Sequence, residues 1–407
     1  MNGSAPGPAK VAVVKPQFGA NGGFERHLAA VIDGLRQRGW HLTVVETDGF
    51  PDPTNLYGLP VDGSLAAAHH EFFRYMALME QVQQLDLDRF DAVLTTQPPT
   101  FLVPHRRKVA IFYHQARHFY DLSTPFVDGG FVDPDVHGAA VEAVRSVERE
   151  GVADVRRWLA GSVEVAARLE HYWHVPTERI EIHHAPPTSR PERTSVHNAE
   201  GPVVNVGRVE WPKRCELFVN AVHHLKHERP AHVVGDGSRL DGVKALDAHL
   251  HADPDLRGER RASEPWMDQT GARPRWRPDD DPLSGRVIFE GNVTNERRDR
   301  LYEHASVVVA PAYREDYGLT AIEAMVRARP VIVCDDGGGL TELVADGVSG
   351  LVVEPRAEAM AEAVDRLVGD PDLAARLGAN GHKAVGDISL DQAVLQVAHS
   401  LRTVLEH

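Results

Sequence analysis

Two carboxylates and two cations carry most of the chemistry this sequence can do. Glu315 and Glu323 stand eight residues apart, with Tyr317-Gly318-Leu319-Thr320 between them and Ala324-Met325 after the second. The apolar run Val307 to Ala310 reads as a fully buried parallel strand. It breaks at Pro311, crosses an acidic loop and re-enters as a helix near Gly318. Amides of Gly318, Leu319 and Thr320 at that helix start would point free N–H groups outward, and such an end attracts an anion, most naturally phosphate. Carboxylates make poor phosphate ligands but good acceptors for hydroxyl groups. Glu315 on the loop and Glu323, about one and a half turns into the helix, therefore suggest a ligand carrying phosphates and sugar hydroxyls together.

The cations stand in Gly207-Arg208-Val209-Glu210-Trp211-Pro212-Lys213-Arg214, directly after the apolar run Val203 to Val206. Arg208 and Lys213 at the top of a strand can grip a diphosphate, one by its fork and the other as a point charge. A further phosphate-binding arrangement opens the chain. Strand Val11 to Val14 runs into Gly19-Ala20-Asn21-Gly22-Gly23 and then a helix to about Arg38, with Leu28, Val31, Ile32 and Leu35 at helical spacing. Glu46 and Asp48 end the next strand, Leu42 to Val45, where a dinucleotide site would place its ribose acid. The glycine spacing is not that of a dinucleotide fingerprint, however, which fails at its second glycine. A third strand, Lys108 to Tyr113, runs straight into His114-Gln115-Ala116-Arg117-His118. Ligands of open α/β sheets lie outside the carboxyl ends of the strands, so His114 is well placed for a cleft, and His118 has less support.

The elements that must position these groups alternate strand and helix through both halves. In the first, Leu65 to Leu85 predicts one amphipathic helix whose Phe72, Phe73, Tyr75, Met76 and Met79 read as core, with an acceptor cleft or a dimer contact as the other use. Asp91 to Thr95 is a strand, and Asp121 to His137 has the composition of a mobile loop, a kind of segment that often carries binding residues. A helix from about Ala139, a strand near Trp158 to Ala160, a helix from about Val163 and a strand at Ile180 to His183 complete that half. His183-His184 invites a metal reading, but no Asp, Glu or Cys stands at ligand spacing, and no metal is expected. In the second half, strands at Ala231 to Gly237, Val287 to Glu290 and Pro330 to Cys334 alternate with helices such as Asn295 to His304. The long stretch His249 to Arg286 carries Asp279-Asp280-Asp281, read as a solvated charge run, and has no assigned role. Four segments follow from this pattern. Residues 1–186 read as a first Rossmann-like domain, 187–201 as a linker, 202–386 as a second Rossmann-like domain and 387–407 as a final helix.

Composition narrows the function further. At 407 residues the chain suits two domains, and 42% hydrophobic with 25% charged residues is ordinary for a soluble protein. A formal charge of −15 argues against broad binding to nucleic acid or anionic lipid, a local basic patch aside. Cys215 and Cys334 are the only cysteines, which leaves no disulfide framework or structural zinc site. The tail Met1 to Lys10 lacks a signal-peptide pattern, and no apolar run nears the ~20 residues of a membrane span, so a cytoplasmic location without membrane association is expected.

The motif Glu315 to Glu323, with its aromatic-Gly-Leu centre and Glu-Ala-Met close, resembles the signature of the retaining glycosyltransferases of family 4, which have the GT-B fold. Gly22-Gly23-Phe24-Glu25, Gly207-Arg208 with Lys213, and Gly337-Gly338-Gly339-Leu340-Thr341-Glu342 resemble three further family segments, in the right order along nearly the whole chain. The resemblance implies two Rossmann-like, doubly wound parallel-sheet domains facing a central cleft, with 1–186 on the acceptor side, 202–386 binding the nucleotide sugar and the helix of 387–407 crossing back to the first domain. It implies that Arg208 and Lys213 neutralise the departing diphosphate, with Glu315 and His114 on the transferred sugar. Glu323 would accept from ribose hydroxyls, Asn292 and Val293 would lie against the base, and Gly22 and Gly23 would lie against the donor's phosphates and sugar. A UDP or GDP sugar would be the donor, with no other cofactor. A soluble small molecule, such as a natural-product intermediate, would be the acceptor, and a homodimer is allowed. Three departures stand out: Arg214 where Gly is commoner, Arg329 where a small residue precedes Pro330-Val331, and His183-His184-Ala185-Pro186 where an Asn-Gly turn is usual. A sugar-nucleotide epimerase on the same architecture and a non-catalytic nucleotide-sugar binder are the alternatives, with a NAD-dependent oxidoreductase more distant.

Overall fold

The computed structural model describes residues 9–19, 22–130, 132–187, 189–191, 198–252 and 285–406. Asp279-Asp280-Asp281 and nearly all of the stretch from His249 to Arg286 lie outside the described residues, as do Ala20, Asn21 and the tail up to Pro8. The chain divides into two compact units. One comprises Met1–Val127, Val132–Pro186 and Ser389–His407; the other comprises Asp128–Phe131 and Pro187–Ile388.

The first unit is built on a six-stranded parallel sheet of order β2-β1-β5-β6-β7-β8. Its strands are β1 (Lys10–Gln17), β2 (His41–Asp48), β5 (Ala92–Thr95), β6 (Lys108–Phe112), β7 (Val155–Ala160) and β8 (Ile180–Ile182); β3 (Asn55–Leu56) and β4 (Leu59–Pro60) form a separate small hairpin. Strands buried on both faces need apolar residues at every position, and Val11, Ala12, Val13 and Val14 are all fully buried. Ala12 and Val14 feed one core, while Val11 and Val13 feed another, shared with Leu28, Val31, Ile32 and Leu35 of helix α1 (Gly23–Gln37). The final helix, Leu390–Glu406, belongs to this unit and lays Val394, Val397, Ala398 and Leu401 against that second core. Gly34 permits the approach, since a Cβ there would stand 2.5 Å from Val394 Cγ2.

Two expectations for this unit are corrected. The single helix over Leu65 to Leu85 is two, α2 (Gly63–Ala68) and α3 (His70–Gln83), because His69 leaves helical geometry at φ −125° and ψ 44°. The aromatic stripe nonetheless serves the core: Tyr75 and Met79 are buried, with Phe72 and Met76 packed beside them. Asp121 to His137 is not an open loop. It contains α4 (Ser123–Asp128) and the first turn of α5 (Pro134–Ala153), which starts five residues before Ala139. The Asp133 carboxylate accepts from the amides of Asp135 and Val136, and Pro134 takes the first helical position, where its missing N–H costs nothing. α6 (Val163–Trp173) completes the unit's helices.

The second unit repeats the architecture with order β11-β10-β9-β12-β13-β14, again all parallel. Its strands are β9 (Val203–Val206), β10 (Ala231–Val234), β11 (Val287–Gly291), β12 (Val307–Ala310), β13 (Val331–Cys334) and β14 (Leu351–Val353). The helices are α7 (Cys215–His224), α8 (Leu240–Ala252), α9 (Asn295–His304), α10 (Leu319–Met325), α11 (Gly339–Leu343), α12 (Ala357–Gly369) and α13 (Pro371–Ala384). In each sheet the chain runs outward on one side of its first strand and then returns to the other. Such a reversal opens a crevice at the carboxyl ends of the two strands involved. These are β1 and β5 in the first unit and β9 and β12 in the second. Arg329, unexpected before Pro330, is buried and donates from Nε to the Arg327 carbonyl at 2.9 Å.

Candidate functional site

In the second unit, the loops after β9 and β12 meet. The Tyr313 amide donates to the Pro212 carbonyl at 2.7 Å, and Thr320 Oγ1 donates to the Val206 carbonyl at 3.1 Å. These two bonds hold the cationic and the acidic segments together although about 100 residues separate them in sequence. Lys213 Nζ lies 2.5 Å from Glu315 Oε2, and both side chains keep partial solvent access, at 29% and 18%. Arg208 is exposed and makes no hydrogen bond or ion pair among the described residues.

The helix α10 starts where the sequence places it, with one refinement. Gly318 is the cap rather than the first helical residue, at φ 99°, a conformation open chiefly to glycine. A Cβ there would also stand 2.8 Å from Leu340 Cδ2. Ala321 is the first amide to bond back, to the Gly318 carbonyl, so the Leu319 and Thr320 amides stand outside the helical ladder. Tyr317 is buried behind them. Glu315 is fixed by its own backbone: its amide donates to the Gly337 carbonyl at 2.9 Å, and its carbonyl accepts from the Gly339 amide at 2.8 Å.

Glu323 is more enclosed than a free ribose acceptor would be. It is 5% exposed, accepts from Tyr302 OH at 3.1 Å and lies 4.0 Å from Arg298 Nη2. The tyrosine and arginine of α9 thus flank this carboxylate. Asn292 follows β11 and donates to Asp236 Oδ2 at 3.3 Å; Val293 beside it is half-buried. Arg214 explains its departure from the glycine usual at that position. Its backbone adopts the left-handed conformation, φ 50° and ψ 44°, which glycine would take without cost. The side chain offsets this strain by forking onto Asp336 at 2.7 and 2.5 Å and by lying 4.8 Å over the Tyr313 ring.

In the first unit, Gly22 caps α1 directly after β1, and Gly23 is the first helical residue. Glu25 accepts from Gln97 Nε2 at 2.8 Å, a bond that spans the β1 and β5 ends of that sheet's crevice. His114 lies two residues past β6, half-buried, with Nδ1 2.8 Å from the Gln115 carbonyl. A carbonyl can only accept, so Nδ1 is the donor in this bond, and in the neutral ring Nε2 is then the acceptor. His118 turns instead into an aromatic cluster with Phe119 and Phe126, and burial pushes its pKa down to about 4. Glu46, the acid that would serve a dinucleotide, is paired with Lys15 at 3.0 Å.

Four partners were not legible as site residues: Gln97, Asp336, Tyr302 and Arg298. Each sits outside the motifs and is recruited by the fold. Among the described residues no group of three or more His, Cys, Asp or Glu converges as a metal site, and no helix is long and apolar enough to cross a membrane.

Known proteins resemble this chain in sequence and in fold. Residues 280–384 match the family described as glycosyl transferases group 1. Among curated relatives, the D-inositol 3-phosphate glycosyltransferase of Nocardia farcinica is 28% identical over 249 residues, covering 57% of this chain and 49% of that protein. The alpha-D-kanosaminyltransferase of Streptomyces kanamyceticus is 32% identical over 149 residues, covering 35% of this chain and 38% of that one. The chain thus spans half or less of the length of these two relatives. Two solved structures match it nearly end to end. Sucrose-phosphate synthase from Thermosynechococcus elongatus has TM-score 0.68 at 18% identity, covering 98% of this chain and 99% of that one. The Anabaena HepE protein in complex with UDP-glucose has TM-score 0.64 at 17% identity, covering 97% and 100%. The fold is GT-B, as in these structures, and residues 280–384 carry the sequence similarity to group 1 glycosyl transferases.

Proposed function

We propose that this chain is a retaining glycosyltransferase of family 4 that moves a sugar from a nucleotide diphosphate to a soluble small-molecule acceptor. The observation that carries the reading is the meeting of Lys213 and Glu315, the phosphate-binding and hydroxyl-binding groups, across the switch point of one sheet. Arg208, Lys213 and the Leu319 and Thr320 amides neutralise the diphosphate as its bond to the anomeric carbon breaks. Charge stabilisation of this kind usually does more than any other single effect to lower such barriers. Glu315 accepts from hydroxyls of the transferred sugar and Glu323 from the ribose, while Asn292 and Val293 lie against the base. For the first unit the same reading assigns Gly22, Gly23 and His114 to the donor's sugar side, with His114 Nε2 accepting from a hydroxyl.

The acceptor oxygen forms the new bond to the anomeric carbon on the face the diphosphate leaves, and a phosphate oxygen takes the acceptor's proton. No side chain is required as nucleophile. The UDP-glucose bound to the similar Anabaena protein supports a UDP sugar as donor, with GDP the other choice. A role in secondary metabolism is part of the same proposal, and the net charge of −15 disfavours an anionic membrane as the acceptor's location. A thermal-shift screen with UDP-, GDP-, ADP- and dTDP-sugars tests the reading, because a ligand that binds only the folded chain raises its melting temperature. One class of nucleotide sugar should stabilise the wild type and lose that effect in R208A. A screen in which none does, or in which R208A responds as the wild type does, overturns it.

A further inference from the structure

The crevice residues of the first unit lie at the carboxyl ends of its strands. A second concentration of charge lies at the opposite, amino ends. A cavity of about 600 Å³ is lined there by Arg106, Arg156, Arg157 and Arg179, with Asp154 and Glu178 at its wall. Arg106 precedes β6, Asp154 precedes β7, and Glu178 and Arg179 precede β8. A volume of this order is that of a small-molecule site.

Three features suggest an anionic occupant. First, the cavity is strongly basic in a chain whose formal charge is −15. Second, the arginines spend their bonds on backbone carbonyls: Arg156 Nε on Arg106 at 3.0 Å, Arg157 Nη1 on Glu178 at 2.9 Å and Arg179 Nη1 on Ala153 at 3.3 Å. None of the four pairs with a carboxylate among the described residues, and Asp154 lies 3.9 Å from the buried Lys108 ammonium. Guanidinium groups fixed by one N–H and still charged retain further donors for an anion. Third, the strand is irregular where the site needs it. The β6–β7 register runs from Lys108↔Val155 to Val109↔Arg157, so Arg156 is an extra residue in the ladder. Neighbours on a regular strand face opposite sides, and a bulge re-aims them; here Arg156 and Arg157 line the same cavity.

We propose that this cavity is a second, phosphate-binding site, which holds a phosphorylated molecule between Arg106, Arg156, Arg157 and Arg179. The phosphate can come from a free metabolite or from a lipid headgroup, and the test separates the two. The full chain carrying R208A and K213A, which disables the diphosphate site proposed above, is titrated with inorganic pyrophosphate in a calorimeter at low salt. The same chain is sedimented with phosphatidylglycerol and with phosphatidylcholine vesicles. The expected result is one saturable site for pyrophosphate that weakens at least tenfold on adding R156Q and R157Q and weakens as salt rises. Sedimentation with phosphatidylglycerol alone, lost in the same variant, assigns the headgroup as the source and equally supports the site. If R156Q/R157Q does not fold, R106Q/R179Q, at two exposed positions, is read by the same criteria. The proposal is overturned if neither pyrophosphate nor phosphatidylglycerol binds, or if the glutamine variant binds as its parent does.

Discussion

Arg208 and Lys213 are assigned one electrostatic task, yet the structure sets them apart in a way that separates catalysis from stability. Arg208 is exposed and bonds to nothing among the described residues, so its truncation removes no packing and strands no partner. Surface changes of that kind stay within about 0.5 kcal/mol. R208A should therefore melt with the wild type while losing about 10²-fold or more in turnover, the usual cost of one donor to a charge that develops in the transition state. Lys213 differs, because Glu315 depends on it at 2.5 Å and is only 18% exposed. Removing one partner of a half-buried pair costs an amount between the exposed and the buried limits, about 1–2 kcal/mol. For a unit of this size that lowers the melting temperature by about 3–6 °C. K213A should lose both stability and turnover, and the nucleotide sugar chosen by thermal shift should rescue less of its melting temperature than it does for the wild type. The assay is the release of free nucleotide from the donor in the presence of acceptor, with melting curves on the same samples. Near-normal turnover in R208A refutes the diphosphate assignment. A large loss of stability in R208A would show instead that the side chain has a structural partner.

The remaining predictions test neighbouring groups. R214G trades the fork onto Asp336 and the Tyr313 stacking for relief of a left-handed backbone; the fork outweighs about 1 kcal/mol of strain, so a net loss of about 1–2 kcal/mol is expected by thermal melting. A variant more stable than the wild type would show that the fork contributes little. E323Q keeps an acceptor for Tyr302 OH but removes the charge near Arg298, so it should raise donor KM with little change in kcat; unchanged donor affinity by calorimetry would exclude the ribose contact. His27 and His183 are buried 3.1 Å apart, and burial pushes their pKa values down to about 3 and about 4. Both stay neutral in the fold while the unfolded chain binds protons below about 6.5, so stability is complete above that pH and falls toward pH 4, by about 1.4 kcal/mol per pH unit for each ring. The slope should shrink by one such increment in H183Q relative to wild type, and an identical slope in denaturant titrations would refute the assignment.

The strands and the order of motifs were legible because they are written locally. Val307 to Ala310, Val331 to Cys334 and Val203 to Val206 are apolar at nearly every position, a pattern that a strand buried on both faces needs. The carboxyl ends of such strands then follow, and with them the placement of Arg208, Glu315 and His114. Asp133 as a cap was equally local, but the acidic, glycine-rich stretch around it favoured the loop reading, and the helix-breaking geometry of His69 left no mark in the periodicity of α2 and α3.

What could not be read is what long-range partners supply. Arg214 looks like a poor substitute for glycine until Asp336, 122 residues away, accepts its guanidinium and Tyr313 lies beneath it. Glu323 looks like a free acceptor until α9 brings Tyr302 and Arg298 to it. Both departures have the same physical form. In both, a partner distant in the sequence sets what the side chain does. The loops that carry Lys213 and Glu315 are therefore fixed by side-chain forks and backbone bonds before any ligand arrives. A diphosphate entering between them would have to compete with Glu315 for Lys213 but would not have to order the backbone, which removes part of the entropy cost that binding otherwise carries.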